Sequence, residues 1–340
     1  MAQNIYGVDI GTSNLKMCCN EKGKILNEKN IIAIANKNEV LAFGDEAYEM
    51  YEKAPENIEV SFPVKFGVIA DIENMQTLLV SFFNKINDDK KFSGNTDFYI
   101  AVPTDVTEVE KRAFYELVAE SKVKAKNIFI VDKPVADAIG AGLDVTKSKG
   151  IMVVNIGAET TEISVISLGG IVISKSIKIG GNKLDDSIIS IIRKEYNLVI
   201  GSKTAEGLKK ELGSAVKSEE KFAPGFGRNV LSGLPVSVQI SSDVIYSAIV
   251  DPLHSIMDSI KVILERTPPE LAADIIKDGI YVTGGTSNIS NLEKFIHQET
   301  NLNVNIVDNP AESVVRGLID VVNKPEFAKI PYTPQDKKYE

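Results

Sequence analysis

The stretches VDIGT (residues 8–12) and VNIGAETT (residues 154–161) decide the fold of this 340-residue chain, because they share one design. Each is an apolar strand that ends in Asp or Asn, followed by an apolar residue, a glycine and hydroxyl residues that lead into another strand. Two copies of one unit predict two related halves. The length agrees, since it exceeds the usual size of a single hydrophobic core.

Strands alternate with helices along the chain. Apolar runs bounded by turn residues predict buried strands at Ile5–Val8, Phe98–Val102, Ile128–Val131, Ile151–Val154 and Gly279–Thr283. Helical patterns occupy Glu108–Ser121 and Asp185–Tyr196. This alternation predicts an α/β fold, in which ligands bind at the carboxyl ends of the strands.

One further strand alternates strictly between apolar and polar residues. It covers Ile171–Ile179, with isoleucines on one face and Ser174, Ser176 and Lys178 on the other. The pattern predicts a half-solvated strand, paired with the preceding strand through the turn Leu168-Gly169-Gly170.

Composition excludes several classes of protein. The chain is 44% hydrophobic and 25% charged, and its formal charge of −9 disfavours general nucleic-acid binding. No apolar run approaches the roughly 20 residues that span a bilayer. The N-terminus does not resemble a secretory leader, and the adjacent Cys18 and Cys19 should point to opposite faces of a strand rather than form a disulfide. A cytoplasmic location is therefore expected, and two distant histidines make a zinc site improbable.

The two related turns suit phosphate binding. A strand–turn–strand unit offers clustered backbone N–H groups, and glycine lets a phosphate approach them closely. The hydroxyls of Thr12, Ser13, Thr160 and Thr161 would add donors. Asp9 would reach a hydrated Mg²⁺, because magnesium prefers one or two carboxylates and several waters.

A third glycine turn, Thr283-Gly284-Gly285-Thr286-Ser287-Asn288, follows another buried strand. Its glycines would permit close approach of a purine or its ribose. Each turn alone is weak evidence, because ordinary β-turns use the same residues. The three turns in this order form a much more specific pattern.

With these turns the sequence resembles MreB, the bacterial actin family within the actin, hexokinase and DnaK-type ATPase superfamily. The resemblance covers about residues 5–322 and includes segments that are not general features of the superfamily. The matching segments are FGVIAD (66–71), AVPTDVTEVEKRAF (101–114), DKPVADAIGAGL (132–143), KIGGNKLDDSI (178–188), IGSKTAEGLKKELGSA (200–215) and PPELAADI (268–275).

The resemblance implies an actin-like fold of two related halves, with four subdomains around a central nucleotide cleft. The predicted boundaries are 1–32, 66–145 and 319–340 for subdomain IA, 33–65 for IB, 146–181 and 247–318 for IIA, and 182–246 for IIB.

The resemblance also implies ATP and Mg²⁺ as ligands. Asp9 would hold the metal through water, and Glu206 and Lys209 would approach the ribose and adenine. The alternative for this last pair is an exposed i, i+3 pair on a helix. The predicted nucleotide-binding residues are Gly11, Thr12, Ser13, Asn14, Lys16, Gly157, Ala158, Glu159, Thr160, Gly181, Glu206, Lys209, Gly284, Gly285 and Asn288.

The chain departs from the MreB pattern at its catalytic positions. Lys133 replaces a glutamate that helps to orient the attacking water, and Asn155 replaces an aspartate. Gly157-Ala158-Glu159 replaces three glycines. Lys133, Asn155 and Thr161 would thus form a degenerate catalytic centre, which binds nucleotide but hydrolyses it slowly. The alternative is family drift, with another residue orienting the water.

Two lysines carry further hypotheses. Lys133 would form an ion pair with Glu159 across the altered catalytic position. Lys16 stands where MreB usually has an apolar residue, and several other actin-family members carry a lysine there. It would reach a phosphate or, alternatively, face solvent from its strand.

Membrane contact is predicted to be weak or indirect. The candidate loop, Asp88–Asp97, offers Phe92 beside Lys90 and Lys91, which is a weak interfacial signal. A solvated loop is the alternative.

The predicted function is a cytoskeletal protein that polymerises with copies of itself, or with paralogous MreB chains, for cell shape or motility. The departures resemble those of divergent paralogues in wall-less bacteria, which is an argument by analogy alone. The alternatives are a fully active MreB-type ATPase that organises cell-wall synthesis, a small-molecule kinase, and a non-polymerising regulatory partner. The kinase ranks low because the chain lacks an inserted substrate domain.

Overall fold

The computed structural model describes residues 4–20, 23–36, 39–87 and 96–334. The chain divides into two compact units: unit 1 comprises residues 1–153, 164–174 and 311–340, and unit 2 comprises residues 154–163 and 175–310. The four predicted subdomain boundaries are finer than this division and stay a prediction. Phe92, Lys90 and Lys91 of the candidate membrane loop lie outside the described residues.

The elements alternate as the sequence predicts. In chain order they are β1 (Asn4–Ile10), β2 (Asn14–Cys19), β3 (Ile25–Lys29), β4 (Ile32–Ala35), β5 (Glu39–Phe43), α1 (Asp45–Met50), β6 (Ile58–Ser61), β7 (Val64–Lys65), β8 (Val68–Ile69), α2 (Ile72–Ile86), β9 (Thr96–Val102), α3 (Glu108–Ala119), β10 (Asn127–Asp132) and α4 (Lys133–Gly140). There follow β11 (Ile151–Ile156), β12 (Thr161–Ser167), β13 (Gly170–Ile177), α5 (Gly181–Tyr196), β14 (Leu198–Val199), α6 (Ser202–Leu212), β15 (Phe222–Asn229), β16 (Pro235–Ser241), α7 (Ser242–Arg266), α8 (Pro269–Asp278), β17 (Ile280–Thr283), α9 (Leu292–Thr300), β18 (Val304–Ile306) and α10 (Ser313–Asn323).

The predicted strands are confirmed, with small differences at their ends. Gly279 does not begin β17; its φ of 88° ends helix α8 instead, a conformation that glycine adopts without strain. Helix α5 begins at Gly181, four residues before the predicted start at Asp185, because Gly180 already adopts an extended N-cap conformation.

A five-stranded sheet in the order β10-β9-β1-β2-β3 forms the centre of unit 1. Strands β1, β9 and β10 are parallel, and β2 runs antiparallel to β1. Apolar residues of the sheet pack against α2 and α3, and the buried core includes Tyr6, Val8, Leu15, Met17, Phe98, Ile100, Leu78, Phe82 and Phe114. The parallel strands bring the residues after β1 and β10 to the same edge of the sheet.

Side chains at the N-termini of α2 and α3 cap these two helices. Helix α3 has a capping box, in which the backbone N–H of Glu110 donates to the Thr107 hydroxyl and the Glu110 carboxylate accepts from the Thr107 N–H. Asp71 accepts from the N–H of Asn74 at the start of α2. Each such cap typically contributes about 1 kcal/mol.

Helices α4 and α10 of unit 1 pack very closely. A Cβ on Gly140 would collide with the carbonyl oxygen of Ser313, and a Cβ on Gly317 with that of Ala136. The hydroxyl of Ser313 donates to the fully buried carboxylate of Asp137. The position of α4 is therefore tightly defined, and α4 carries Lys133 as its first residue.

A second five-stranded sheet has the order β13-β12-β11-β17-β18. The turn between β12 and β13 has positive φ at Leu168 and Gly169, as a tight hairpin requires, which confirms the predicted pairing. Ser174 on the polar face is half-buried. Its hydroxyl hydrogen-bonds the hydroxyls of Thr104 and Ser164 at 2.8 and 2.7 Å.

Unit 2 also contains the small sheet β14-β15-β16. Strands β15 and β16 form an antiparallel hairpin in which Phe226 lies opposite Ser237. Among the described residues, no helix is long and apolar enough to cross a membrane.

Candidate functional site

The first glycine turn closes on itself between β1 and β2. The N–H of Gly11 donates to the carbonyl of Asn14 at 3.1 Å, and the Asn30 amide donates to the carbonyl of Gly11 at 2.8 Å. A Cβ on Gly11 would lie 2.7 Å from the Asn14 oxygen, which is closer than real Cβ contacts allow. The turn therefore requires glycine at this position.

The hydroxyls beside this turn are already hydrogen-bonded. Thr12 accepts from the N–H of Gly67 at 3.2 Å. Ser13 donates to the side chain of Asn14 at 2.9 Å and accepts from the Lys29 ammonium at 3.2 Å. The predicted contact of Ser13 with phosphate stays a prediction.

Asp9 lies at the centre of the unit 1 site and contacts two lysines. Its Oδ2 is 2.9 Å from Nζ of Lys16, and its Oδ1 is 3.0 Å from Nζ of Lys133. Asp9 and Lys16 are direct partners in the antiparallel register of β1 and β2. Lys133 follows the last residue of β10.

All three side chains are largely withdrawn from solvent, with 2% of Asp9, 11% of Lys16 and 17% of Lys133 exposed. Burial alone would raise the pKa of Asp9, but the ammoniums of Lys133 and Lys16 outweigh it and hold that pKa well below its ordinary value. Asp9 is therefore an anion at physiological pH, and the two neighbouring ammoniums more than offset its charge. Lys16 does not face solvent, so that alternative is wrong.

The arrangement does not fit a magnesium ion held through Asp9. Each Asp9 oxygen contacts an ammonium nitrogen, and two positive charges at that distance would repel a divalent cation held by the same carboxylate. Within the described ranges, no group of three His, Cys, Asp or Glu side chains is placed to hold a metal ion. The predicted pair of Lys133 with Glu159 joins residues of different units and stays a prediction.

The second glycine turn, between β11 and β12, repeats the first. The N–H of Gly157 donates to the carbonyl of Thr160 at 2.8 Å, with the same spacing as Gly11 and Asn14. A Cβ on Gly157 would lie 3.0 Å from the Thr160 oxygen. The repeated hydrogen bond gives the internal duplication a structural basis.

Three segments of unit 2 converge on this second turn. The carbonyl of Gly157 accepts from the N–H of Gly181 at 3.0 Å and from the hydroxyl of Thr286 at 2.7 Å. The carbonyl of Ala158 accepts from the N–H of Asn182 at 2.7 Å. The second turn, the N-terminus of α5 and the third glycine turn therefore form one hydrogen-bonded cluster.

The remaining predicted residues of the second turn have distinct environments. Asn155 is half-buried near the end of β11, and Glu159 and Thr160 lie in the turn itself. Thr161 is fully buried, and its hydroxyl donates to the carbonyl of Ile179 at 2.7 Å. That bond gives Thr161 a structural role beside the catalytic role that the resemblance implies.

The third turn places its predicted residues beside the cluster. Gly284 has a φ of 84°, and a Cβ there would collide with the backbone of Ile156. The Asn288 side chain donates to the carbonyl of Gly285 at 3.0 Å, which closes the short 3₁₀ helix of this turn.

Glu206 and Lys209 on α6 do not pair with each other. Lys209 donates to the carboxylate of Asp185 at 2.8 Å and to the carbonyl of Gly181 at 2.9 Å, while Glu206 contacts Lys210 at 2.7 Å. Burial raises the pKa of Asp185 to about 6, against the opposing effect of the Lys209 ammonium. Lys209 thus joins α6 to the N-terminus of α5; a contact with adenine or ribose stays a prediction.

Sequence reasoning missed Asp185, Thr286 and Asn30. Asp185 lies one helical turn after Gly181 within the segment KIGGNKLDDSI, and that spacing is a usable signal. Thr286 lies inside the third turn that the sequence already singled out. Asn30 carries no comparable signal, because its contact with Gly11 depends on the fold of β2 and β3.

Comparison with known proteins agrees with this geometry. A family model described as MreB/Mbl protein matches residues 3–329. The cell shape-determining protein MreB of Escherichia coli K12 is 36% identical over 323 residues, which cover 93% of this chain and 92% of the relative. The cell shape-determining protein Mbl of Bacillus subtilis is 38% identical over 313 residues, covering 92% and 93%.

A solved structure is similar along nearly the whole chain. MreB5 of Spiroplasma citri bound to ADP superposes with a TM-score of 0.90 at 35% identity, covering 96% of this chain and 98% of that one. The same protein has also been solved bound to AMPPNP.

Proposed function

The chain belongs to the MreB/Mbl family of actin-like cytoskeletal proteins, and from that premise we propose that it binds ATP, assembles into filaments with copies of itself, and hydrolyses ATP only slowly. The observations that carry the proposal are the contact of Lys133 with Asp9 in unit 1 and the closed glycine turn in each unit.

Nucleotide binding is supported by the glycine turns. Gly11 and Gly157 each close a turn with the same backbone hydrogen bond, and glycine turns of this kind present clustered backbone N–H groups that bind phosphate. The similar MreB5 of Spiroplasma citri is known with ADP and with AMPPNP.

Slow hydrolysis is supported by the chemistry of Lys133. An ammonium has three donors and no acceptor, so it does not take a proton from water or orient water by its hydrogen. Residues that activate or position the attacking water typically contribute roughly 10²–10⁴-fold to the rate. Lys133 instead contacts Asp9, in a cluster of two ammoniums and one carboxylate that carries net positive charge.

Self-assembly is supported by an exposed apolar surface, which we call the hairpin surface. It consists of Phe222 and Phe226 on β15 and Leu231 and Leu234 at the turn, and each side chain exposes more than half of its area. Phe222 and Phe226 lie on the same side of the strand, since side chains alternate along it. Exposed large apolar residues grouped on one hairpin are typical of contact surfaces, and we assign this one to a second copy of the chain.

Other parts of the proposal follow from the family. The E. coli relative carries the name cell shape-determining protein, so a role in cell shape or motility in the cytoplasm is the expected setting. Paralogous chains as co-assembly partners, and weak contact with the membrane, belong to the same proposal.

Sedimentation and electron microscopy of the purified chain with ATP, ADP and AMPPNP, paired with a phosphate-release assay, test the proposal. Filaments with little phosphate release are the expected result. Filaments with rapid release would favour the fully active ATPase of cell-wall synthesis. Nucleotide binding without filaments would favour a regulatory partner, and phosphate transfer to a small molecule would favour a kinase.

A further inference from the structure

The family resemblance implies that Asp9 holds a magnesium ion, but in the structure its carboxylate forms ion pairs with two lysines. Nζ of Lys16 and Nζ of Lys133 lie 2.9 and 3.0 Å from the two carboxylate oxygens. One carboxylate and two ammoniums carry a summed charge of +1. A divalent cation at Asp9 would have to displace these ammoniums or lie next to them.

The elements that carry the three residues are well anchored. Asp9 and Lys16 are opposite each other in the register of β1 and β2, and both strands lie in the core of unit 1. Lys133 begins α4, whose position is defined by its close packing on α10. The positive charge is therefore a fixed property of this edge of the sheet, rather than a chance contact of mobile side chains.

Lysine supplies at this place what magnesium supplies to a polyphosphate. An ammonium is a compact charge with three donors and binds phosphate oxygens well. Its interactions are strengthened where water is excluded, and more than four-fifths of each of these lysines is shielded from solvent. Two ammoniums carry the same charge as one Mg²⁺.

We infer that this chain binds its nucleotide as the metal-free polyphosphate, with Lys16 and Lys133 as the cations that replace magnesium. This inference rests on the proposed nucleotide binding, and it specifies that the bound nucleotide carries no magnesium ion. Asp9 then holds the two ammoniums in place. Each ammonium has three N–H donors, so it can donate hydrogen bonds both to this carboxylate and to phosphate oxygens.

The test measures the affinity of the full chain for AMPPNP by calorimetry, in buffer with magnesium and in buffer with EDTA. For the native chain, removal of magnesium should weaken binding by less than about fivefold, the lower end of ordinary coupling between two ligands. Lys16→Met/Lys133→Glu should bind with a stronger magnesium dependence, by roughly 5- to 150-fold. Lys53→Glu, at an exposed lysine of unit 1, is the control and should behave as the native chain.

The outcomes separate the inference from the proposed function. Binding that needs magnesium in the native chain overturns the inference and leaves the proposed function standing. No binding in either buffer overturns both. Because the double variant removes two partners of a buried carboxylate, a second variant that keeps both lysines, Asp9→Asn, provides an independent check by thermal shift with AMPPNP. The variant loses the charge that holds the two ammoniums, so its nucleotide-induced shift should be smaller than that of the native chain but the same in EDTA and in magnesium buffer. A shift reduced in magnesium buffer alone would identify Asp9 as a metal position.

Discussion

The ammonium nitrogen of Lys133, which directly follows strand β10, lies 3.0 Å from Oδ1 of Asp9 within strand β1. The usual MreB pattern has a glutamate at the position of Lys133. Lysine at this position is a donor with positive charge, where glutamate would be an acceptor with negative charge, and it forms an ion pair with Asp9. Under the proposed function, this one difference accounts both for slow hydrolysis and for the ion pair at Asp9.

Restoring the acceptor should restore hydrolysis. Lys133→Glu/Asn155→Asp should raise the rate of phosphate release by about 10²-fold, because a positioned acceptor contributes at least that factor. Lys133→Glu alone should give a smaller rise. Lys53→Glu makes the same charge change at an exposed site and should leave the slow rate unaltered. No rise in the double variant would mean that these positions are wrongly assigned.

The sequence predicted the elements of this site better than it predicted their contacts. The strands, the three glycine turns and the α/β class follow from apolar runs and turn residues, which are local signals. The Asp9–Lys16 pair depends on the register of β1 and β2, which no local pattern specifies. The contact of Lys209 with Asp185 depends on how α6 packs on α5, and the sequence therefore suggested a ligand contact for a residue that also links two helices.

The link between the second and third turns should matter for nucleotide affinity. Thr286→Val removes the hydroxyl that donates to the carbonyl of Gly157 at 2.7 Å. A hydrogen bond of this kind contributes about 1 kcal/mol, which corresponds to roughly fivefold weaker nucleotide binding by calorimetry. Thr77→Val removes a comparable bond within α2, to the carbonyl of Glu73, and should not change affinity. Equal affinities in both variants would show that the third turn does not support the ligand site.

A single added methyl group between α4 and α10 should lower the free energy of unfolding. Gly317→Ala places a Cβ against the carbonyl oxygen of Ala136, a backbone atom that cannot rotate away as the end of a side chain would. Overpacking of this kind typically costs about 1–3 kcal/mol of unfolding free energy, measured by denaturant titration. Gly207→Ala on α6 is a matched control, because nothing lies within 4 Å of its added Cβ. That control should be neutral or stabilising by about 0.5–1 kcal/mol, since alanine favours a helix.

The buried carboxyl of Asp185 should make stability depend on pH. Its pKa is raised to about 6 by burial, so the folded state keeps a proton that the unfolded chain releases near its ordinary value of 3.8. The stabilisation is fully present below that ordinary value and is lost as pH rises through about 6. Asp185→Asn should remove a fall on the order of 1 to 3 kcal/mol between those limits. Unfolding curves of both proteins across this range provide the measurement, and parallel pH profiles would refute the assigned titration.

The hairpin surface should control assembly without affecting nucleotide binding. Phe226→Ser/Leu231→Ser removes two of its most exposed apolar side chains. Aromatic and large apolar residues at the centre of an interface often contribute 2 kcal/mol or more, so the critical concentration for pelleting should rise by about tenfold or more. Val109→Ser removes an equally exposed apolar side chain from α3 and is the control. If the double variant pellets like the native chain but loses binding to lipid vesicles, the hairpin surface serves a membrane and not a second copy. Unchanged calorimetric affinity for AMPPNP in the double variant would show that the loss of filaments arises at the hairpin surface, because the glycine turns are untouched.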